Sequence, residues 1–302
     1  MKAEAIEALV NGRYDDVFSV LGMHREASGL VVRALLPGAL QVVVIDKKSA
    51  QVVTQLHSLH PQGLFSAEIP ERDDFFAYLL RVVYPATTVE IEDPYRFSSL
   101  LNDDDIYLFG EGTQERLYHW MGAHSRQIDG INGFHFVVWA PNARRVSVVG
   151  DFNLWDGRRH VLRQHPASGL WEIFIPDLQP GMLYKFEIRA ANGALLPLKA
   201  DPYGFASSKP GETASRLVGP SQYSWNDDNW MTARRSNDPY HQPVSIYEVH
   251  AGSWRRHTDA GDEGFLSYHD MADQLIPYVK SMGFTHIQFM PLSEFPFDGS
   301  WG

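Results

Sequence analysis

The chain has 302 residues, of which 44% are apolar and 13% aromatic, enough for packed cores and too many for a disordered polymer. Its formal net charge of −11 excludes the basic footprint of a nucleic-acid-binding protein and suits a neutral ligand. The absence of cysteine excludes disulfides and thiolate metal sites. No signal peptide and no apolar run near ~18 residues is found, so we predict a cytoplasmic protein without a membrane partner.

The chain begins with a predicted helix and then changes to a β pattern. From residue 3, Ile6, Leu9 and Val10 lie on one helical face, and Asn11-Gly12 ends the run. Short apolar segments separated by turns then predict strands of β-sandwiches. These segments are 30–36, 41–46, 64–69 and 76–84, followed by 134–140, 145–150, 171–175 and 183–190.

The two β regions resemble copies of each other. Four pairs of short motifs keep their order along the chain: Leu21-Gly22-Met23-His24 with Met121-Gly122-Ala123-His124, Leu36-Pro37 with Ala140-Pro141, 63–70 with 169–176, and Asp93-Pro94-Tyr95 with Asp201-Pro202-Tyr203. Recurrence of common hairpin motifs is the simpler alternative. The constant order favours two tandem modules of one fold, with each motif pair on equivalent strands.

A third pattern begins near residue 243, after a polar stretch that reads as a linker. Residues 243–254 predict a strand, Ser267 and Asp270 form a predicted capping box for a helix, and 284–292 predict a second strand. Strand, helix and strand in this order form the unit of a parallel sheet.

Few residues stand out as candidates for chemistry. The histidine spacings fit no metal site, so we predict no metal. Trp155 lies in a polar turn, where a sugar ring could stack on it, and Lys185 lies on a strand of the same module. Trp139 and Trp171 lie within apolar strands and are predicted to be core residues.

The residues resemble a known family over essentially the whole chain. WAPNARRVSVVGDFNLWDGRRH (139–160) is similar to a family-48 carbohydrate-binding module. IYEVHAGSWRR (246–256) and MGFTHIQFMPLSEFPFDGSWG (282–302) resemble the first two strands of the catalytic barrel in bacterial glycogen branching enzymes, members of the alpha-amylase superfamily.

The resemblance implies a mainly β fold of two tandem immunoglobulin-like β-sandwich modules, followed by the first strand-helix-strand of a (β/α)8 barrel. The implied domains are a first module with its leading helix at 1–115, a carbohydrate-binding module at 116–206, a linker at 207–243 and the start of the barrel at 244–302. A second Trp often faces the first in related modules, whereas 191–203 contains none.

The implied activity is transfer of an α-1,4-glucan chain, such as glycogen or amylose, to a 6-hydroxyl by a retaining mechanism, which needs two carboxylates. The resemblance likewise implies no cofactor. Every catalytic residue of that family lies in motifs beyond Gly302. The loop after the second barrel strand offers Asp298 and Trp301 as active-site-loop residues without catalytic roles.

We therefore predict a fragment of a 1,4-alpha-glucan branching enzyme, monomeric at full length and inactive as this chain alone. The alternatives are a non-catalytic glycan-binding protein and a fragment of a debranching hydrolase.

Overall fold

The computed structural model describes residues 1–27, 29–209, 211–221, 223–257 and 264–293. Asp298 and Trp301 lie outside the described residues. The chain divides into two compact units, Met1–Pro220 and Ser221–Gly302. Among the described helices, none is long and apolar enough to cross a membrane.

The first module of unit 1 begins with helix α1 (Ala3–Val10) and continues as one seven-stranded antiparallel sheet in the order β1-β2-β5-β4-β3-β6-β7. Its strands are β1 (Gly22–Glu26), β2 (Gly29–Leu35), β3 (Gln41–Asp46), β4 (Val52–His60), β5 (Leu64–Ile69), β6 (Tyr78–Val83) and β7 (Thr88–Glu92). The start of β4 pairs with β3 and its end with β5, so β4 joins the two layers around a common apolar core.

Helix α2 (Asp103–Glu111) precedes the second module, which has two sheets. One sheet has the order β11-β12-β9-β8 and the other β10-β13-β14. The strands are β8 (Gly122–Ile128), β9 (Ile131–Trp139), β10 (Ala143–Gly150), β11 (Arg163–His165), β12 (Leu170–Pro176), β13 (Leu183–Ala190) and β14 (Ser215–Arg216). Trp171, Phe134 and Phe186 are fully buried between the sheets.

The repeated motifs occupy equivalent places in the two modules, as the duplication predicts. In the first module the Tyr78 hydroxyl donates to Asp93 Oδ2 at 2.6 Å, and Asp93 Oδ1 accepts from the Tyr95 amide at 2.9 Å. A residue with a Cβ in place of Gly22 would collide with the carbonyl of Tyr95. Gly22 also has φ +95, so this start of β1 requires glycine.

The second module repeats each of these contacts. The Tyr184 hydroxyl donates to Asp201 Oδ2 at 2.6 Å, Asp201 Oδ1 accepts from the Tyr203 amide at 2.8 Å, and Gly122 adjoins the carbonyl of Tyr203. Burial raises the pKa of Asp201 to about 6, and burial also raises the pKa of Asp93. The order β1-β2-β5-β4 matches β8-β9-β12-β11, and β6 adjoins β3 as β13 adjoins β10. This shared order and the equal side-chain bonds support descent of both modules from one fold.

Helix α1 is the first element of the first module, but its end is bound by arginines of the second. The carbonyl of Gly12 accepts from Arg145 Nη1 and, at 2.9 Å, from Arg189 Nε, while the carbonyl of Val10 accepts from Arg158 Nη1 at 3.3 Å. Cationic side chains suit the carbonyl end of a helix, whose dipole is negative there. These bonds tie the two modules together on the side of β10 and β13.

Unit 2 contains the predicted strand-helix-strand. Its elements are α3 (Asp228–Ser236), β15 (Ile246–Val249), α4 (Ala251–Trp254), α5 (Tyr268–Ser281) and β16 (His286–Phe289). Strands β15 and β16 are parallel, and the Ser267–Asp270 capping box opens α5 as predicted. Val249, Met271, Leu275 and Val279 form its core.

Candidate carbohydrate-binding site

The turn that carries Trp155 is built by the side chain of Asn153. Asn153 Oδ1 accepts from the Gly150 amide at 2.9 Å, and its Nδ2 donates to the Val148 carbonyl at 2.8 Å. Because Asn153 is only 1% exposed, these bonds are shielded from water and fix the path of the chain after β10.

This fixed path holds two successive non-glycine residues in the left-handed region. Leu154 and Trp155 both have φ 58, which costs roughly 1–2 kcal/mol for each side-chain-bearing residue. Strain of this kind persists only where surrounding bonds determine the backbone, and it clusters at ligand sites. Leu154 is 77% exposed at the tip of the turn.

Trp155 itself is half-buried, with a fixed ring orientation. Its Nε1 donates to Asp151 Oδ1 at 2.8 Å, and its backbone amide donates to the Gly150 carbonyl at 3.0 Å. The bond to Asp151 joins the indole to the first residue of the same turn. With the indole N–H occupied, an apolar ring surface is what Trp155 offers to a ligand.

Lys185 lies at the same end of the β10–β13 ladder. It pairs across the strands with Val149, next to the pairing of Gly150 with Tyr184. Its Nζ donates to Thr213 Oγ1 at 2.6 Å, and no hydrogen bond joins it to Trp155. The structure therefore places Trp155 and Lys185 in one region of the module. The Lys185 ammonium is hydrogen-bonded to the Thr213 hydroxyl.

The two tryptophans predicted as core residues have different environments. Trp171 is fully buried, as predicted, but Trp139 is 55% exposed, so the prediction for Trp139 is wrong. Phe134, Phe136 and Val138 of β9 face the core, which turns Trp139 outward. The neighbouring β8 begins with Gly122 opposite Val137, so among the described residues no strand pairs with Trp139 on that side.

Trp139 is thus a second surface aromatic that the sequence did not single out. Its Nε1 donates to the Ser168 carbonyl at 3.1 Å, and its ring meets Phe109 of α2 edge-on, with the centroids 6.3 Å apart. The alternation of side chains along β9 could have predicted this exposure. Phe134, Phe136 and Val138 lie on the core-facing side of the strand, so Trp139 must lie on the other.

No cluster of three or more histidine, aspartate or glutamate side chains suited to a metal ion occurs within the described ranges.

Glu172 is the most enclosed carboxylate of the second module, and its bonds run to protein groups. Its oxygens accept from His135 Nε2 at 2.7 Å, from His165 Nε2 at 2.8 Å and from Ser99 Oγ. The arrangement is that of a structural anchor.

Comparison with known proteins bears directly on these modules. Residues 2–95 match the family model described as the alpha-1,4-glucan branching enzyme GlgB N-terminal domain. Residues 120–204 match carbohydrate-binding module 48, the isoamylase N-terminal domain. The two modules are thus similar to the domains that these two family models describe.

Individual branching enzymes are similar along nearly the whole chain. The 1,4-alpha-glucan branching enzyme GlgB of Shewanella frigidimarina is 50% identical over 98% of this chain and 40% of its own length. That of Rhodospirillum rubrum is 49% identical over 99% of this chain and 41% of its own length. The chain therefore spans about 40% of the length of the curated relatives it matches.

Solved structures give weaker likenesses. A GBS pullulanase in complex with maltotetraose is 16% identical over 83% of this chain and 32% of its own, with a TM-score of 0.41. A pullulanase complexed with maltotriose from Anoxybacillus sp. LM18-11 is 18% identical over 90% and 39%, with a TM-score of 0.40. With TM-scores near 0.4, these similarities are too weak to indicate a function.

Proposed function

We propose that this chain is the glucan-binding amino-terminal portion of a 1,4-alpha-glucan branching enzyme. The complete enzyme cleaves α-1,4-glucan and transfers the released chain to a 6-hydroxyl through a covalent glycosyl-enzyme, with retention of configuration. The observation that carries this proposal is the match of both modules to domains of branching enzymes, with about 50% identity to such enzymes over 98% of the chain.

In this proposal the modules bind glucan and the barrel performs the chemistry. We assign 1–115 and 116–206 to the two modules, 207–243 to the linker and 244–302 to the first strand-helix-strand of the barrel. Asp298 and Trp301 then belong to an active-site loop, because barrel enzymes build their sites after the carboxyl ends of the strands. The monomeric, cytoplasmic state stays a prediction.

Substitution of Trp155 by alanine is expected to weaken retention on an amylose-containing native gel several-fold. Stacking of one aromatic ring is worth about 1 kcal/mol, and the ring surface of Trp155 supplies it. The matched control is Trp225→Ala, which removes an indole that is 78% exposed outside the modules. Equal retention of wild type and Trp155→Ala would contradict the role of Trp155.

The 302-residue chain incubated with amylose is expected to form no α-1,6 branches. A retaining mechanism needs two carboxylates about 5 Å apart, contributed by the ends of several barrel strands, and the described part of unit 2 contains two such strands. Iodine absorbance and the chain profile released by isoamylase measure branching. Branch formation by the purified chain would overturn this domain assignment. In the complete enzyme, release of reducing ends without branch formation would favour a debranching hydrolase.

A further inference from the structure

A cavity of about 610 Å³ lies between the two modules of unit 1. The first module contributes Leu36, Tyr84 and Val89 to its walls, and the second contributes Phe152 and Leu178. This volume is typical of small-molecule sites, which are mostly apolar with a few converging polar groups. The Trp155 turn adjoins the cavity, since Phe152 and Leu154 of that turn line it.

His160 presents a hydrogen-bond donor on this cavity wall. Asn153 Oδ1 accepts from the Gly150 amide, so Nδ2 is the group that meets His160 Nδ1, at 2.8 Å. Nδ1 must then accept, and the ring proton lies on Nε2. Burial, and secondarily the charge of Arg159, lower the pKa of His160 to about 3, so the ring remains neutral at physiological pH.

Arg159 adds further donors beside it. Its Nη2 donates to the Pro37 carbonyl at 2.7 Å, which fixes the guanidinium against the first module. Among the residues that the structure describes, its Nε is buried without an acceptor. Arg159 Nη1 and His160 Nε2 have no hydrogen-bond partner there and stay open to water or to a ligand. Buried donors in native proteins are normally satisfied, so Arg159 Nε marks a place where this edge of the cavity lacks an acceptor oxygen.

The charges on the cavity wall argue against an anion. Glu92 is paired with Lys47 and, at 3.2 Å, with Arg96, and Asp93 is bonded to Tyr78. The exposed Asp177 remains as an acceptor on the rim. The charged groups that line the cavity are thus one guanidinium and three carboxyl groups, two of which are bonded to other side chains. This balance suits a neutral ligand that carries both hydroxyl donors and acceptor oxygens.

We propose that this cavity is a second glucan site, which encloses a short α-glucan segment between the modules. Arg159 and His160 donate to sugar oxygens, Asp177 accepts from a hydroxyl, and the apolar walls pack against the sugar C–H faces. The inference rests on the proposed glucan-binding function. It places a binding site at the junction of the two modules, separate from the ring of Trp155.

The test uses the 302-residue chain, with maltotriose titrated by calorimetry and amylose retention measured separately on native gels. Val89→Trp fills the cavity from a side chain that is 36% exposed and should weaken maltotriose binding at least tenfold. Val52→Trp, at a 58% exposed position on β4 away from the cavity, is the matched control and should bind like wild type. Arg159→Gln should weaken binding about tenfold, the usual effect of losing a hydrogen bond from a charged group.

Each outcome separates this inference from the proposed function. Trp155→Ala should weaken amylose retention several-fold and keep maltotriose binding in the cavity, and thermal melting checks that every variant is folded. Equal maltotriose binding by wild type and folded Val89→Trp overturns the cavity site. Amylose retention without maltotriose binding overturns it too and leaves the proposed function standing, whereas binding of neither glucan contradicts both.

Discussion

Replacement of Arg145 by methionine is expected to lower the free energy of unfolding by about 3–5 kcal/mol, the usual cost of removing one partner of a buried ion pair. The Arg145 side chain is 2% exposed and is paired with Glu187. Glu187 pairs with Nη2 of Arg145, and Nη1 donates to the carbonyl of Gly12 at the end of α1. The substitution leaves the Glu187 carboxylate without this partner in a site that is 15% exposed.

The adjacent residue supplies the matched control. Arg144 forms an ion pair with Asp15 at 2.8 Å, but both side chains are about half exposed, so Arg144→Met should cost less than about 1 kcal/mol. Urea denaturation of the two variants measures the difference. If Glu187→Gln is added to Arg145→Met, part of the loss should be recovered, because the uncompensated charge is then removed. Equal stabilities of the Arg144 and Arg145 variants would show that burial of this pair is unimportant.

Glu172→Ala is the second substitution with a large expected effect, also about 3–5 kcal/mol. Besides His135, His165 and Ser99, its carboxylate accepts from the Leu100 amide at 3.1 Å. It therefore fastens the last part of the first module, at Ser99 and Leu100, to β12. His135 is itself only 2% exposed, and alanine would leave its ring nitrogen unpaired.

The effect of Glu172→Ala should also depend on pH. Burial alone would raise the pKa of Glu172, but the hydrogen bonds from His135, His165 and Ser99 outweigh it, so the pKa lies well below the usual 4.5. A carboxylate with a depressed pKa stabilises the fold above its unfolded pKa, and this contribution is lost as pH falls through the folded value. The stability difference between wild type and Glu172→Ala should therefore be full at pH 7 and shrink below about pH 4.5.

Limited proteolysis within residues 98–103 gives a second readout, since release of Leu100 from Glu172 exposes this segment. Glu68→Ala, on the exposed face of β5, is the control and should change stability by less than about 0.5 kcal/mol. A pH-independent loss in Glu172→Ala would mean that packing, rather than the charged hydrogen bonds, accounts for the effect.

Apolar segments of the sequence predicted most of the core strands but not the peripheral elements. β3, β5 and β13 have the predicted bounds, because strands buried on at least one face must be apolar. β4 was not predicted, since Leu56 is its one buried residue and exposed polar side chains dominate the rest. Its strand state depends on pairing with both β3 and β5.

Helix α2 was also missed, although its signals are local. Asn102 accepts from the Asp105 amide at 2.7 Å as an N-cap, three aspartates occupy the first turn, and Gly112 ends the helix with φ +74. The apolar content of α2 is low, so hydrophobic periodicity gave little indication of it. Capping residues were the better guide here.

The sequence by itself determined the tandem modules, the parallel strand-helix-strand and the candidate turn at Trp155. Each of these follows from contiguous segments whose apolar spacing, glycines and capping residues act locally. Only the tertiary structure decided that Trp139 is exposed, that Arg145 binds the end of α1, and that Arg159 and His160 line one cavity. These facts join residues more than a hundred positions apart, or depend on where a neighbouring strand begins. Packing between modules, not local propensity, sets such contacts.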